Sequence, residues 1–264
     1  MGELRGLFTA TLVFAAPRAF AYEVAKTEAG AAIHWNALEV PFEIDAGGSD
    51  DLTDEAAFAA VRASFASWTN ADCSPLVFRD DGVSANLGSD RQRPGEVNAV
   101  MWIESGWTGD PVAAAVTTLR YDPSTGELVD TDIRINGARY SFSAGELPLR
   151  GKMDLRSVVT HEVGHVHGLA HSRVSGATMS TPVPEADSSF RDLEADDISG
   201  LCDRYPIGFT PIDRSKEATG CACTHAGPST FFTSLSMLGL TLLRGWVRFR
   251  QLIGQGLKRR RESQ

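Results

Sequence analysis

Three histidines and one glutamate are spaced so that they can bind a metal ion and act on water beside it. They lie in the segment HEVGHVHGLAH, residues 161–171. Residues four apart lie on one face of a helix, so His161 and His165 can bind one ion through their imidazoles. Gly168 lets the chain leave the helix at positive φ, and His171 can then fold back as a third ligand. Three protein ligands leave a fourth position for water, which is typical of a catalytic zinc site.

Glu162 stands beside this ligand set and is the candidate catalytic residue. A zinc ion polarises a carbonyl group and lowers the pKa of its bound water. Glu162 can accept the proton of that water and later pass it to a leaving amine. This chemistry predicts hydrolysis of peptide bonds. Two other hypotheses stay open: a surface histidine cluster without metal, and a zinc-holding module whose catalysis is lost.

The other histidines are predicted to lie outside the ligand set. His167 follows His161 by six residues. That spacing is about 240° around a helix, so we expect a surface or packing residue there. His34 and His225 are distant in sequence, and we expect no role for them.

Capping residues and apolar spacing predict three helices. Thr53 can cap a helix over residues 54–69, in which apolar residues recur every three or four positions. Asp154 can cap the helix that carries the metal motif, which we expect to end near Gly168. A last helix is predicted over residues 193–203. Its inward-facing residues would be Leu193, Ile198 and Leu201.

Alternating apolar residues, bounded by turn signals, predict the strands. The predicted strand regions are 33–44, 76–78, 97–103, 113–121 and 128–135. The last two are joined by residues 122–126, DPSTG, which is a strong turn signal.

Composition and charge are those of a globular protein with an acidic body. The 264 residues are 42% hydrophobic and 22% charged, which argues against general disorder. The net charge is −9 although the last 21 residues are strongly basic. An acidic body argues against a nucleic-acid partner.

The two ends of the chain predict export and attachment to a surface. Residues 1–21 resemble a secretory signal peptide, with an amphipathic helix as the alternative. Residues 22–206 are expected to form the catalytic domain and 207–220 a linker. In the tail, 221–264, the apolar segment 226–243 is just long enough to span a membrane and precedes a basic end. A simple membrane anchor and release after cleavage both stay open.

Export would place the four cysteines where disulfides persist. Cys73 and Cys202 lie within the body and are expected to pair, whereas Cys221 and Cys223 lie at the start of the tail. Two buried free thiols are the alternative for the first pair.

The metal motif resembles the metzincin superfamily of zinc endopeptidases. Ser172 after the third histidine is similar to the matrixin (matrix-metalloprotease-like) branch, and Met179 is identified as the family's methionine turn below the metal. The resemblance covers about residues 32–206. It implies an α+β fold: a twisted, mainly parallel sheet of about five strands, three helices and an active-site cleft below the edge strand. It also implies one catalytic zinc ion.

The same resemblance suggests substrate-binding residues. The edge strand would be 113–119, where an extended peptide pairs through its backbone near Ala114 and Val116. Ser157 would lie near the floor of the S1′ pocket. The outer wall of that pocket would be formed by Thr181, Pro182 and Val183.

Several expectations accompany this site. We expect no cysteine-switch prosegment before Trp35, and no second zinc ion, since only His34 lies upstream of the motif. Calcium is an additional candidate ion, because carboxylates are its usual ligands. The candidate calcium ligands are Asp80, Asp81, Asp110, Asp122, Asp130 and Asp132.

The tail resembles the C-terminal sorting tails of myxobacterial exported proteins, which implies a protein held at the cell surface. Together the resemblances imply an exported, monomeric zinc endopeptidase that acts on proteins or peptides. The alternative is a catalytically inactive, zinc-binding adhesion module. A hydrolase for small peptides or for a single partner is a further hypothesis.

Overall fold

The computed structural model describes residues 21–85, 87 and 97–213. The predicted signal peptide before Ala21 and the predicted tail therefore lie outside the described residues. The chain divides into two units after residue 214, and the described residues belong to the first of them. Within the described ranges, no helix is long and apolar enough to cross a membrane.

The described chain combines nine strands with three α helices. The strands are β1 (Glu23–Val24), β2 (Glu39–Asp45), β3 (Val77–Ser84), β4 (Asn98–Trp102), β5 (Ala115–Tyr121), β6 (Leu128–Ile135), β7 (Phe142–Ser143), β8 (Met153–Asp154) and β9 (Leu169–Ala170). The helices are α1 (Asp54–Thr69), α2 (Leu155–Val166) and α3 (Ala195–Arg204). All three predicted helices are confirmed, with ends that shift by no more than two residues.

A five-stranded sheet in the order β3-β2-β4-β6-β5 forms the centre of the fold. Four of its strands run parallel, and β5 runs antiparallel to β6. The turn before β6 produces this reversal: Asp122 accepts hydrogen bonds from the amides of Ser124 and Thr125, and Gly126 adopts φ +78°. As a result, β5 is an edge of the sheet, as predicted for the strand above the cleft.

The strand predicted at 76–78 is longer in the structure. β3 continues through the charged residues Arg79, Asp80 and Asp81 to Ser84. It can do so because it is the opposite edge of the sheet and pairs with β2 along its length, so these side chains point to solvent. The apolar pattern marked only the part that packs on the core.

Helices α1 and α2 pack together against the sheet. Thr53 caps α1, as predicted, by accepting a hydrogen bond from the amide of Ala56 at 3.3 Å. Phe65 of α1 stacks on Phe42 of β2, with ring centroids 3.8 Å apart. The stack holds α1 on the sheet, and Trp68 Nε1 of α1 donates to the carbonyl of Thr160 on α2 at 2.8 Å, which joins the two helices.

The C-terminal helix is fastened to the body by a disulfide. Cys73, just after α1, is bonded to Cys202 of α3, with Cα atoms 5.4 Å apart. The predicted inward face of α3 is wrong in part: Leu201 is fully buried, but Ile198 is 38% exposed. Asp197, one position before Ile198, faces inward instead, where its carboxylate accepts hydrogen bonds from the amides of Thr178 and Met179.

Candidate active site

Helix α2 begins at a buried carboxylate and presents two of the histidines. Asp154 caps the helix by accepting a hydrogen bond from the amide of Ser157 at 2.9 Å. Arg191 donates to the same carboxylate, so the buried charge is paired. His161 and His165 follow one turn apart, and their ring centroids are 5.0 Å apart.

Gly168 ends this helix and turns the chain toward the third histidine. Its φ is +83°, and a Cβ atom there would lie 2.3 Å from the carbonyl oxygen of Ile33, so a glycine is required for two reasons. The chain then forms β9, which pairs antiparallel with β1, and His171 follows directly. The sequence prediction that Gly168 allows His171 to fold back agrees with this geometry.

The three imidazoles converge in the way that a metal ion requires. One ligand atom from each of His161, His165 and His171 lies within 4.8 Å of the others. Nitrogen ligands on a tetrahedral zinc ion are about 3.3 Å apart when the bonds are about 2.0 Å. The Nε2 atoms of His165 and His171 are 3.2 Å apart.

Backbone carbonyl groups set the orientation of two of these rings. His161 Nδ1 donates to the carbonyl of Thr178 at 2.7 Å, and His165 Nδ1 donates to the carbonyl of Leu169 at 2.8 Å. In a neutral ring with Nδ1 protonated, Nε2 carries the free electron pair, which is the form that binds metal. Burial lowers the pKa of His161 to about 3, assisted by the nearby charge of His165, so this neutral form is favoured. The donor set therefore fits zinc.

Glu162 lies in the cleft beside the histidines and is only 6% exposed. Its Oε2 atom accepts a hydrogen bond from the hydroxyl of Thr117 on β5 at 2.6 Å. Burial raises the pKa of Glu162 to about 7, although the Thr117 hydrogen bond acts in the opposite direction. A carboxyl group with a pKa near neutrality can both accept and return a proton.

The predicted methionine turn packs against α2. Met179 is 1% exposed, and a Cβ atom at Gly164 would lie 2.0 Å from its sulfur. Asp197 of α3 accepts hydrogen bonds from the amides of Thr178 and Met179 at 2.7 and 2.9 Å. Since Thr178 also accepts the His161 hydrogen bond, a buried carboxylate on α3 supports the orientation of one ring of the histidine triad.

The adjacent Asp196 connects the start of the described chain to the loop after His171. Its Oδ1 accepts from the amides of Ala21 and Tyr22, and its Oδ2 accepts from the hydroxyl of Ser172 at 2.6 Å. Sequence analysis missed both Asp196 and Asp197, since acidic residues in the first turn of a helix are typical of exposed helix starts.

A cleft of about 790 Å³ opens in front of the histidines. All five residues assigned to substrate binding lie along it: Ala114, Val116, Thr181, Pro182 and Val183. Tyr140, Met153 and Val158 also line it and were not predicted. They come from separate elements, and no local pattern in the sequence marks them.

Ser157 does not line this cleft, which contradicts its assignment to a pocket floor. The residue is fully buried, and its hydroxyl donates to the carbonyl of Asp187 at 2.9 Å. It lies in the first turn of α2, where it ties the helix to the loop that precedes the 3-10 turn at Ser189–Arg191.

The remaining histidines behave as expected for residues outside the ligand set. His167 packs in the core between Trp68 and Phe78, with its Nδ1 atom donating to the carbonyl of Val163. His34 donates to the carbonyl of Ala32. His225 lies outside the described residues.

The candidate calcium ligands do not form a cluster in the part of the chain that the structure describes, where the histidine triad is the group with metal-binding spacing. Asp80 and Asp81 instead pair with Arg62 and Arg79. Calcium binding by the six aspartates stays a prediction.

Comparison with known proteins supports a matrixin-like metzincin. Residues 104–206 match the matrixin family (Peptidase_M10), and this segment includes the whole histidine triad. The chain is 33% identical over 162 residues to Metalloendoproteinase 5-MMP of Arabidopsis thaliana, an alignment that covers 59% of this chain and 41% of that protein. It is 34% identical over 92 residues to human Neutrophil collagenase, covering 35% of this chain and 18% of that protein. The chain thus spans less than half the length of these relatives.

The predicted fold class is confirmed. The described residues form an α+β fold with a five-stranded, mainly parallel sheet and three helices, which is consistent with the metzincin fold.

Proposed function

We propose that this protein is an exported zinc-dependent endopeptidase. One observation carries the proposal: three imidazoles converge beside a buried carboxyl group, directly below the edge strand of a sheet. Zinc held by His161, His165 and His171 would act as a Lewis acid and make water a nucleophile at neutral pH. The intact Glu162 favours catalysis over a binding module, since binding alone has no need for a base beside that water.

Residues of this chain would transfer the protons and orient the metal ligands. Glu162 accepts the proton from water and delivers it to the nitrogen of the leaving amine. Its burial supports this role, since a pKa raised to about 7 suits both transfers. The carbonyls of Thr178 and Leu169 keep two of the imidazoles in the metal-binding orientation.

We infer that the substrate is an extended peptide that pairs with β5. The edge position of β5 supports this, because an edge strand exposes unpaired backbone groups that a peptide can use. Tyr140, Met153, Val158 and Val183 give the cleft apolar walls, which favours medium-sized apolar P1′ side chains. A peptide library should therefore be cut before such residues, and a preference for charged P1′ side chains would refute this specificity.

The test uses the full chain, made under oxidising conditions and loaded with zinc, on a library of quenched peptides. Glu162→Gln should lower kcat by about 10²- to 10⁴-fold, as expected for loss of a general base, without loss of bound zinc. The matched control is Glu28→Gln, because Glu28 is exposed on a turn outside the cleft. Stoichiometric zinc without cleavage in the wild type would instead support the binding module or a peptidase with one narrow substrate.

Export by residues 1–21 and surface attachment by residues 221–264 are further proposals. The composition of these segments supports them. Fractionation of cells that produce the full chain should recover it at the surface, and a variant that ends at residue 213 should be released to the medium. Recovery of both forms inside the cell would refute export.

A further inference from the structure

Thr117 of the edge strand contacts the candidate base with its side-chain hydroxyl. The hydroxyl of Thr117 on β5 lies 2.6 Å from Glu162 Oε2 and 3.2 Å from the main-chain carbonyl oxygen of Glu162. A hydroxyl has a single proton to donate, and 2.6 Å is the usual length of a hydrogen bond from a hydroxyl to a carboxylate. The proton of Thr117 is therefore directed at Oε2.

This hydrogen bond makes the two carboxyl oxygens of Glu162 inequivalent. Oε2 accepts the hydroxyl hydrogen bond from β5, and the backbone of Thr117 adds a second hydrogen bond to the same carboxyl group, so Glu162 is held from one strand. A freely rotating carboxylate would exchange its oxygens and spend part of its time turned away from the reacting water.

We propose that Thr117 is a positioning residue that holds Glu162 by Oε2 and leaves Oε1 as the oxygen that accepts the proton of water. The inference rests on the proposed endopeptidase function and names a residue that the metal motif does not contain. Thr117 also belongs to the strand on which we expect the substrate to pair. The strand that aligns the peptide thus also aligns the base.

The alternation of β5 provides a matched control. Successive side chains of a strand point to opposite faces, so Thr117 points toward α2 while its neighbour Thr118 is exposed on the other face. Thr118 does not line the cleft. Replacing either threonine by valine keeps the branched shape that suits a strand and removes only the hydroxyl.

The test compares Thr117→Val, Thr117→Ser and Thr118→Val in the zinc-loaded full chain. Thr117→Val should lower kcat by about ten- to a hundredfold with KM and bound zinc near wild type, because the base is misplaced by a fraction of an ångström. Thr117→Ser keeps the donor and should restore most of kcat, and Thr118→Val should match the wild type. In a Glu162→Gln background, Thr117→Val should cause little further loss.

Several outcomes would overturn the inference. They are an equal loss in Thr117→Ser, a rise in KM at constant kcat, or a full further loss in the Glu162→Gln background. An inactive wild type would mean that the proposed function alone has failed. Crystal structures of the zinc-loaded variants would then test the positioning role of Thr117. Thr117→Val should release Glu162 into more than one rotamer while Thr117→Ser retains one; a single unchanged rotamer in both would refute the positioning role.

Discussion

Removal of the Asp197 carboxylate should destabilise the protein and weaken its metal site together. This side chain is fully buried and accepts three backbone hydrogen bonds, from the amides of Thr178, Met179 and Glu194 at 2.7 to 2.9 Å. Asp197→Ala leaves these donors without their acceptor. The amides of Thr178 and Met179 are buried, so water cannot replace the lost acceptor.

The magnitude follows from these two buried amides. An unsatisfied buried donor costs about 1–3 kcal/mol, so the pair predicts a loss of about 4 kcal/mol in the free energy of unfolding. That is a large part of the roughly 5–15 kcal/mol of a typical domain. Asp197→Asn keeps one acceptor oxygen and should lose about half as much.

The assay is urea denaturation of the metal-free protein at neutral pH, followed by a zinc titration of each variant. Zinc affinity should fall by about 10- to 100-fold, because the carbonyl of Thr178 holds the ring of His161 and the turn would no longer be fixed. Asp192→Ala is the control, since the side chain of Asp192 is 89% exposed. A loss below about 1 kcal/mol with unchanged zinc affinity would refute the reasoning.

Three further predictions concern stability. Burial lowers the pKa of His167 from 6.5 to about 4, so the stability that the neutral ring contributes is complete above pH 6.5 and is lost as the pH falls toward 4. In denaturation experiments at several pH values, His167→Phe should remove up to about 3 kcal/mol of this loss of stability in acid. An unchanged dependence of stability on pH would contradict the prediction. Gly168→Ala should destabilise by several kcal/mol, because strain and a clash add, whereas Gly176→Ala, with similar φ and open space, should cost only about 1–2 kcal/mol in the same assay. Removal of the disulfide by Cys73→Ser with Cys202→Ser should cost about 5 kcal/mol, since it closes a loop of 129 residues; an unchanged melting temperature would show that the bond does not constrain the unfolded chain.

Local features of the chain were predictable because their causes lie within a few residues. The positions of His161 and His165 on one helix face depend only on helical periodicity. The caps at Thr53 and Asp154 follow from side chains that bond amides three residues ahead. The exit at Gly168 follows from its freedom to adopt positive φ.

The residues that surround the site could not be predicted from local sequence patterns. Thr117 and Glu162 are 45 residues apart in sequence, and their contact exists only because β5 lies above α2. Nothing in the sequence distinguishes Asp197 from an exposed acidic residue. Its hydrogen bonds form only because α3 packs against the methionine turn. The resemblance placed Ser157 near the floor of the S1′ pocket, but the residue does not line the cleft; its hydroxyl donates to the carbonyl of Asp187, 30 residues away, a contact that the motif does not contain.

The sequence by itself determined which three histidines can share one site, which glutamate stands beside them and where the helices are capped, because each is set by spacing along a few residues. The tertiary structure alone decided which carboxylates are buried, which residues form the cleft and which hydroxyl reaches Glu162. These contacts join segments that are far apart in the chain. They depend on the order of the strands and the packing of three helices, which no local pattern encodes.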